Sequence, residues 1–124
     1  PLDPSQFCCV LFDWAGTVID FGSRAPIEAL LTIFERSGVP ISETQARRDM
    51  GKPKIDHIRS LLLDPDIASL WQERHQSKPT NLTPLQLYQD FLILQKEVLR
   101  RNTQLIPGAR HCIQWCRNQG WKIG

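Results

Sequence analysis

Residues 7–17 read Phe7-Cys8-Cys9-Val10-Leu11-Phe12-Asp13-Trp14-Ala15-Gly16-Thr17. The first six form an unbroken apolar run, too short for a helix and rich in the residue types of a strand buried on both faces of a parallel sheet. The run ends at Asp13. Ligands of open α/β sheets bind beyond the carboxyl ends of the strands, so a carboxylate set there points into a site. The glycine turn that follows offers backbone amides to phosphate oxygens, and the combination suits nucleophilic attack on phosphorus. An aspartate that merely caps a turn is the plainer alternative, and D-x-x-G-T alone does not separate the two.

Beyond this turn the period of the apolar residues changes from strand to helix. Ile27, Leu30, Leu31 and Phe34 form an i, i+3, i+4, i+7 stripe, with Pro26 at its start and Gly38 past its end. Ser42 with Gln45 is a capping-box pair that opens a short helix toward Met50. Pro53 suits a first helical turn, which predicts helices over 54–63 and then 65–76. Thr83-Pro84-Leu85-Gln86 combines an N-cap, a first-turn proline and a capping-box glutamine ahead of a long helix to about Arg101, carrying Tyr88, Phe91, Leu92, Val98 and Leu99. Pro107-Gly108 interrupts the pattern. Residues 109–118 set Cys112, Ile113 and Cys116 on one helical face, and Trp121-Lys122-Ile123 begins a second strand. A strand–helix–strand crossover needs only about 30 residues, so the long helical stretch between the strands reads as an inserted domain.

The chain has 124 residues, 41% of them hydrophobic and 23% charged, which excludes a disordered chain. Its net charge of +2 comes from 15 basic and 13 acidic residues that are scattered, so no block marks a nucleic-acid or membrane surface. No stretch approaches the roughly 18 apolar residues of a membrane span, and a soluble cytoplasmic protein is expected. Four cysteines, with Cys8 and Cys9 adjacent and Cys112 and Cys116 one turn apart, read as buried free thiols and not as bridges or a metal site. The sequon Asn81-Leu82-Thr83 is a chance match.

Lys54 is the second candidate. A lysine attacks an aldehyde only as the neutral amine, and the first turn of a helix, at the positive end of the macrodipole, disfavours the ammonium form. Lys52 is expected to add to that effect. His57, at i+3, shares a face with Lys54. Each residue alone is more simply a surface lysine or a packing histidine.

F-D-W-A-G-T at 12–17, F-G-S-R-A-P at 21–26, M-G-K-P-K-I-D-H-I at 50–58 and L-I-P-G at 105–108 together resemble the phosphonoacetaldehyde hydrolase family in order and spacing. That family lies within the haloacid dehalogenase superfamily. The resemblance implies an α/β fold: a Rossmann-like core, of which 1–20 and 104–124 supply one strand, one helix and the start of another strand, with an all-helical cap inserted at 21–103. It implies that Asp13 is the nucleophile and a Mg2+ ligand, that the Ala15 backbone carbonyl also binds the metal, and that Lys54 forms a Schiff base with the substrate. Met50 and His57 match cap residues that flank this lysine, and Ser23 stands where the family has a small substrate-pocket residue. A small phosphonate is the implied partner, with a homodimer through the cap.

Related phosphatases carry a second aspartate two residues after the nucleophile to protonate an alkoxide. Ala15 occupies that position here. A phosphonate loses carbon instead, and an imine on Lys54 is an electron sink that lets a neutral enamine depart. A phosphatase or mutase of the same superfamily, or a non-catalytic remnant, are the competing readings. The chain has no initiator methionine and ends at Gly124, where the family continues into a serine or threonine phosphate-binding motif and later acidic metal ligands. A fragment inactive on its own is therefore expected.

Overall fold

A computed structural model of the chain describes residues 3–20 and 23–124. Phe21 and Gly22, which open the F-G-S-R-A-P motif and adjoin the expected domain boundary, lie outside the described residues. Two compact units are present, one formed by Pro1–Arg24 with Leu99–Gly124 and the other by Ala25–Val98.

The second unit is helical. Helix α1 (Arg24–Arg36) follows the expected stripe and buries Ile27, Leu30, Ile33 and Phe34, with Leu31 partly covered. Gly38 ends it at φ +78°, a left-handed conformation that favours glycine, with the Arg74 side chain lying over it. The capping box of α2 (Glu43–Arg47) forms in full: Gln45 donates its amide to Ser42 Oγ at 3.1 Å, and Ser42 donates its amide to Gln45 Oε1 at 2.9 Å. Loss of such a cap costs about 1 kcal/mol. Helix α3 (Lys54–Leu63) starts directly after Pro53. Asp64 then caps α4 (Pro65–His75) by accepting the amides of Asp66 and Ile67, while its other oxygen meets Arg48 at 2.6 Å.

Helix α5 (Thr83–Arg101) begins at the expected residue but not through the expected cap. Thr83 is buried, and its Oγ1 accepts the Thr80 amide at 2.9 Å. The Gln86 amide bonds instead to the Leu82 carbonyl at 3.1 Å. Thr83 thus fastens the preceding loop, because its hydroxyl turns backward and away from the helix amides. Residues from all five helices form one core, and Leu30, Phe34, Val39, Ile58, Ile67 and Phe91 in it have no exposed surface. Each such side chain contributes about 1.5–3 kcal/mol relative to exposure.

In the first unit a 3-10 turn at Pro4–Gln6 leads into β1 (Cys9–Val10), which pairs in parallel with β2 (Lys122–Ile123). Cys9 stands opposite Lys122 and Val10 opposite Ile123, and backbone bonds extend the ladder from Cys8 to Phe12. Helix α6 (Ala109–Asn118) precedes β2 and packs on it. Two expectations fail here. The run at 7–12 is not buried on both faces, since Leu11 is 82% exposed, and only Cys116 of the four free cysteines is buried. The cause is the width of the sheet: among the described residues two strands and α6 cannot cover both faces. Trp121 fills part of the gap, edge-on to Trp115 at 5.4 Å and to Phe7 at 5.7 Å.

Candidate functional site

The first group of predicted residues sits where β1 ends. Asp13 is exposed, and Thr17 donates its hydroxyl to Asp13 Oδ2 at 3.1 Å. The turn that holds Asp13 is wound on the Trp14 carbonyl, which accepts the amides of Thr17, Val18 and Ile19. Gly16 closes it at φ +85°, where an added Cβ would meet Ser23 Oγ at 2.5 Å. Ser23 itself is half-buried in a left-handed conformation, φ +49°, and donates a long bond of 3.5 Å to the Ala15 carbonyl. Asp13, Ala15 and Ser23 are thus parts of one loop system. The L-I-P-G segment joins the same system, because Ile106 donates its amide to the Val18 carbonyl at 2.8 Å and Leu105 bridges Ile19.

Asp20 belongs here too, and the sequence reading passed over it. It is 3% exposed, adopts φ +56°, accepts the Arg24 amide on Oδ1 at 2.9 Å and the Ser23 amide on its carbonyl at 2.8 Å. It therefore ties the Ser23 turn to the start of α1. An aspartate just ahead of a helical stripe is a recognised start signal and could have found it.

The second group lies at the start of α3. Lys54 is the first residue of that helix and is half-buried, and burial lowers the pKa of its amine below the usual lysine range. Lys54 Nζ lies 3.4 Å from His57 Nδ1, one turn along the same face. His57 has no exposed surface, and its Nε2 is buried without a partner in hydrogen-bonding geometry. Met50 packs partly buried against the helical core just before the glycine turn. Lys52 does not join Lys54. Its ammonium is held 2.9 Å from Asp49 Oδ1 and 3.1 Å from Ser60 Oγ, and burial is what lowers Lys54. Asp49 and Ser60 were not legible as site residues, since neither stands in a chemical motif of its own.

His57 is held below the ordinary imidazole range, first by burial and then by the Lys54 charge, with Lys52 adding a smaller push. Asp49 and the Ala46 backbone act in the opposite direction without prevailing. The unfolded chain therefore takes up a proton near pH 6.5 that the folded ring refuses, so stability is whole above that value and falls as the solution is acidified below it. An NMR titration should show His57 changing below the ordinary histidine range, with the urea midpoint decreasing from pH 7.5 to 5.5. A ring titrating at or above the ordinary value would contradict this account.

The two residues that the resemblance assigns to a metal supply an exposed carboxylate, Asp13, and a backbone carbonyl, Ala15, which accepts the long bond from Ser23. Among the described residues no three His, Cys, Asp or Glu side chains gather as a metal cluster. Magnesium fits such a sparse set, because it keeps several waters and uses one or two carboxylates with phosphate oxygens. No helix among the described residues is long and apolar enough to cross a membrane.

Over 121 residues, 98% of its length, the chain is 41% identical to the phosphonoacetaldehyde hydrolase of Bordetella avium (strain 197N). It is similar to phosphonoacetaldehyde hydrolases along nearly its whole length. The phosphonoacetaldehyde hydrolase of Bacillus cytotoxicus is 39% identical over 115 residues. A crystal structure of a phosphonoacetaldehyde hydrolase like protein from Oleispira antarctica superimposes with a TM-score of 0.86 at 34% identity, over 95% of this chain. The chain spans less than half of each relative: 43% of the Bordetella protein, 44% of the Bacillus protein and 43% of the Oleispira chain. No family model matches the chain.

Proposed function

We propose that the full-length protein hydrolyses phosphonoacetaldehyde to acetaldehyde and phosphate, as a cytoplasmic enzyme with a haloacid dehalogenase-type core and a helical cap. The core would be built from 1–20 and 104–124 together with the remainder of the longer protein, and the cap from 21–103. The observation that carries this reading is Lys54, a half-buried amine with lowered pKa whose described partner is a fully buried histidine. Burial moves such an amine toward the neutral form in which it is a nucleophile, a shift that an exposed lysine does not share.

In the proposed sequence, Lys54 Nζ adds to the aldehyde carbon and the carbonyl oxygen leaves as water, giving an imine. His57 Nδ1 is close enough to accept the proton that the amine sheds as it adds. The Asp13 carboxylate then attacks phosphorus, and the carbon–phosphorus bonding pair moves into the protonated imine to leave a neutral enamine. Water hydrolyses the aspartyl phosphate. The enamine takes a proton on carbon, and a second water releases acetaldehyde and restores the amine. Asp13 and the Ala15 carbonyl would hold a magnesium ion, which when bound offsets repulsion between carboxylate and phosphonate. Ser23 and Met50 would border the substrate. The family resemblance adds to this reading a homodimer formed through the cap.

The test is covalent trapping. Borohydride added to a full-length enzyme turning over phosphonoacetaldehyde should reduce the imine to a stable adduct, and peptide mapping should find it on Lys54. Label confined to Lys52, or an active Lys54→Arg enzyme, would overturn the assignment.

A further inference from the structure

Two lysines stand two residues apart at the start of α3, and their surroundings differ sharply. Lys52 has a side chain about half exposed, 49%, yet its ammonium is engaged twice, by Asp49 Oδ1 at 2.9 Å and by Ser60 Oγ at 3.1 Å. Asp49 is the more covered partner, with 29% of its side chain exposed. The two contacts come from opposite sides in sequence, one from the turn before α3 and one from the helix's second turn. Lys54 meets neither group, and its described contact is the His57 ring at 3.4 Å. An aldehyde entering this region thus finds two primary amines within a few residues, one pinned as an ammonium and one partly desolvated.

We infer that Asp49, with Ser60, is a positioning pair that fixes which lysine reacts, by holding Lys52 as an ion-paired ammonium while Lys54 is left to the aldehyde. The inference rests on the proposed lysine chemistry for its biological meaning, but the clamp itself is a property of Lys52. An amine attacks through its lone pair, and to present one Lys52 would have to give up its contacts with the Asp49 carboxylate and the Ser60 hydroxyl oxygen. The Asp49 carboxyl is correspondingly held below the usual carboxylate range, chiefly by the hydrogen bond from Lys52. Without the clamp, Lys52 would regain the small neutral fraction of an ordinary exposed lysine and, with it, a slow competing reaction with the aldehyde.

Reductive alkylation of the full-length protein with acetaldehyde and cyanoborohydride reads this without catalysis. The neutral amine adds to the carbonyl carbon, oxygen leaves as water, and hydride reduces the resulting C=N bond. Exposed Lys78 and Lys96 serve as internal references. Early peptide mapping should find Lys52 labelled more slowly than both references and Lys54 faster. In Asp49→Asn the Lys52 label should rise about two- to five-fold, the range expected for loss of one partly exposed ion pair. Ser60→Ala should produce a smaller rise and guards against misfolding of the first variant. Lys52 labelled as fast as Lys78 in the unaltered protein, or unchanged in both variants, overturns the clamp. Slow labelling of Lys54 with the Lys52 pattern intact would instead sink the catalytic-lysine reading and leave the clamp standing.

Discussion

Lys54→Ala in a full-length enzyme is expected to lower kcat/KM for phosphonoacetaldehyde by about four orders of magnitude, the scale on which removal of a covalent nucleophile is felt. The loss should exceed that of a mere positioning residue because it removes the place where the carbon–phosphorus electron pair goes. Without an imine, the departing group would be a carbanion equivalent with no sink at the lysine. The variant should therefore form neither a borohydride-stable adduct nor an aspartyl phosphate from this substrate. Rapid-quench measurement with radiolabelled phosphonate checks both. Accumulation of aspartyl phosphate in Lys54→Ala would show that phosphorus transfer does not wait for the imine, and a phosphatase would become the better reading.

Asp13→Ala is expected to abolish phosphate release to a similar degree while leaving imine formation intact. The asymmetry follows from order, since the imine precedes attack on phosphorus. Borohydride should then trap Lys54 at least as fully as in the parent enzyme, because the adduct no longer drains toward product. Phosphate assay and mass spectrometry of the α3 peptide measure the two outcomes in the same sample. If Asp13→Ala lost the adduct as well, Asp13 would be needed for binding before chemistry. The nucleophile assignment would then lose its support.

What the sequence disclosed follows from how local each determinant is. The helices of the second unit are set by apolar spacing, prolines and caps within a turn or two, and α3 begins at Lys54 as Pro53 implies. The pairing of Lys54 with His57 was likewise legible, because residues three apart on a helix must share a face. Lys52 was misread for the opposite reason. Its partners are reached by side-chain rotation around a turn, and no period announces that Asp49 and Ser60 converge on one ammonium. Thr83 erred similarly, since a sequence pattern cannot say whether a hydroxyl bonds forward into a helix or back to Thr80. The buried-strand reading of 7–12 assumed neighbours on both faces, which a property of the segment alone cannot supply. The convergence of Ser23 on Gly16 and Ala15 depends on the left-handed turns at Asp20 and Ser23, conformations that non-glycine residues seldom announce.

The pairing of Cys9 with Lys122 joins positions nearly a full chain length apart. Closing a flexible loop of that size costs entropy that grows with the logarithm of its length, about 1.5RT ln n. A folded insert shortens the effective loop, since the compact Ala25–Val98 unit replaces many freely moving bonds with a packed connection. The ladder and the contacts around it therefore meet a smaller entropic cost when the helices between the strands have formed. Loss of a core side chain such as Phe91 would then be felt at β1 and β2, through chain connectivity alone and with no contact required. Contact order favours an assembly in which short-range helical packing comes before the long-range strand register.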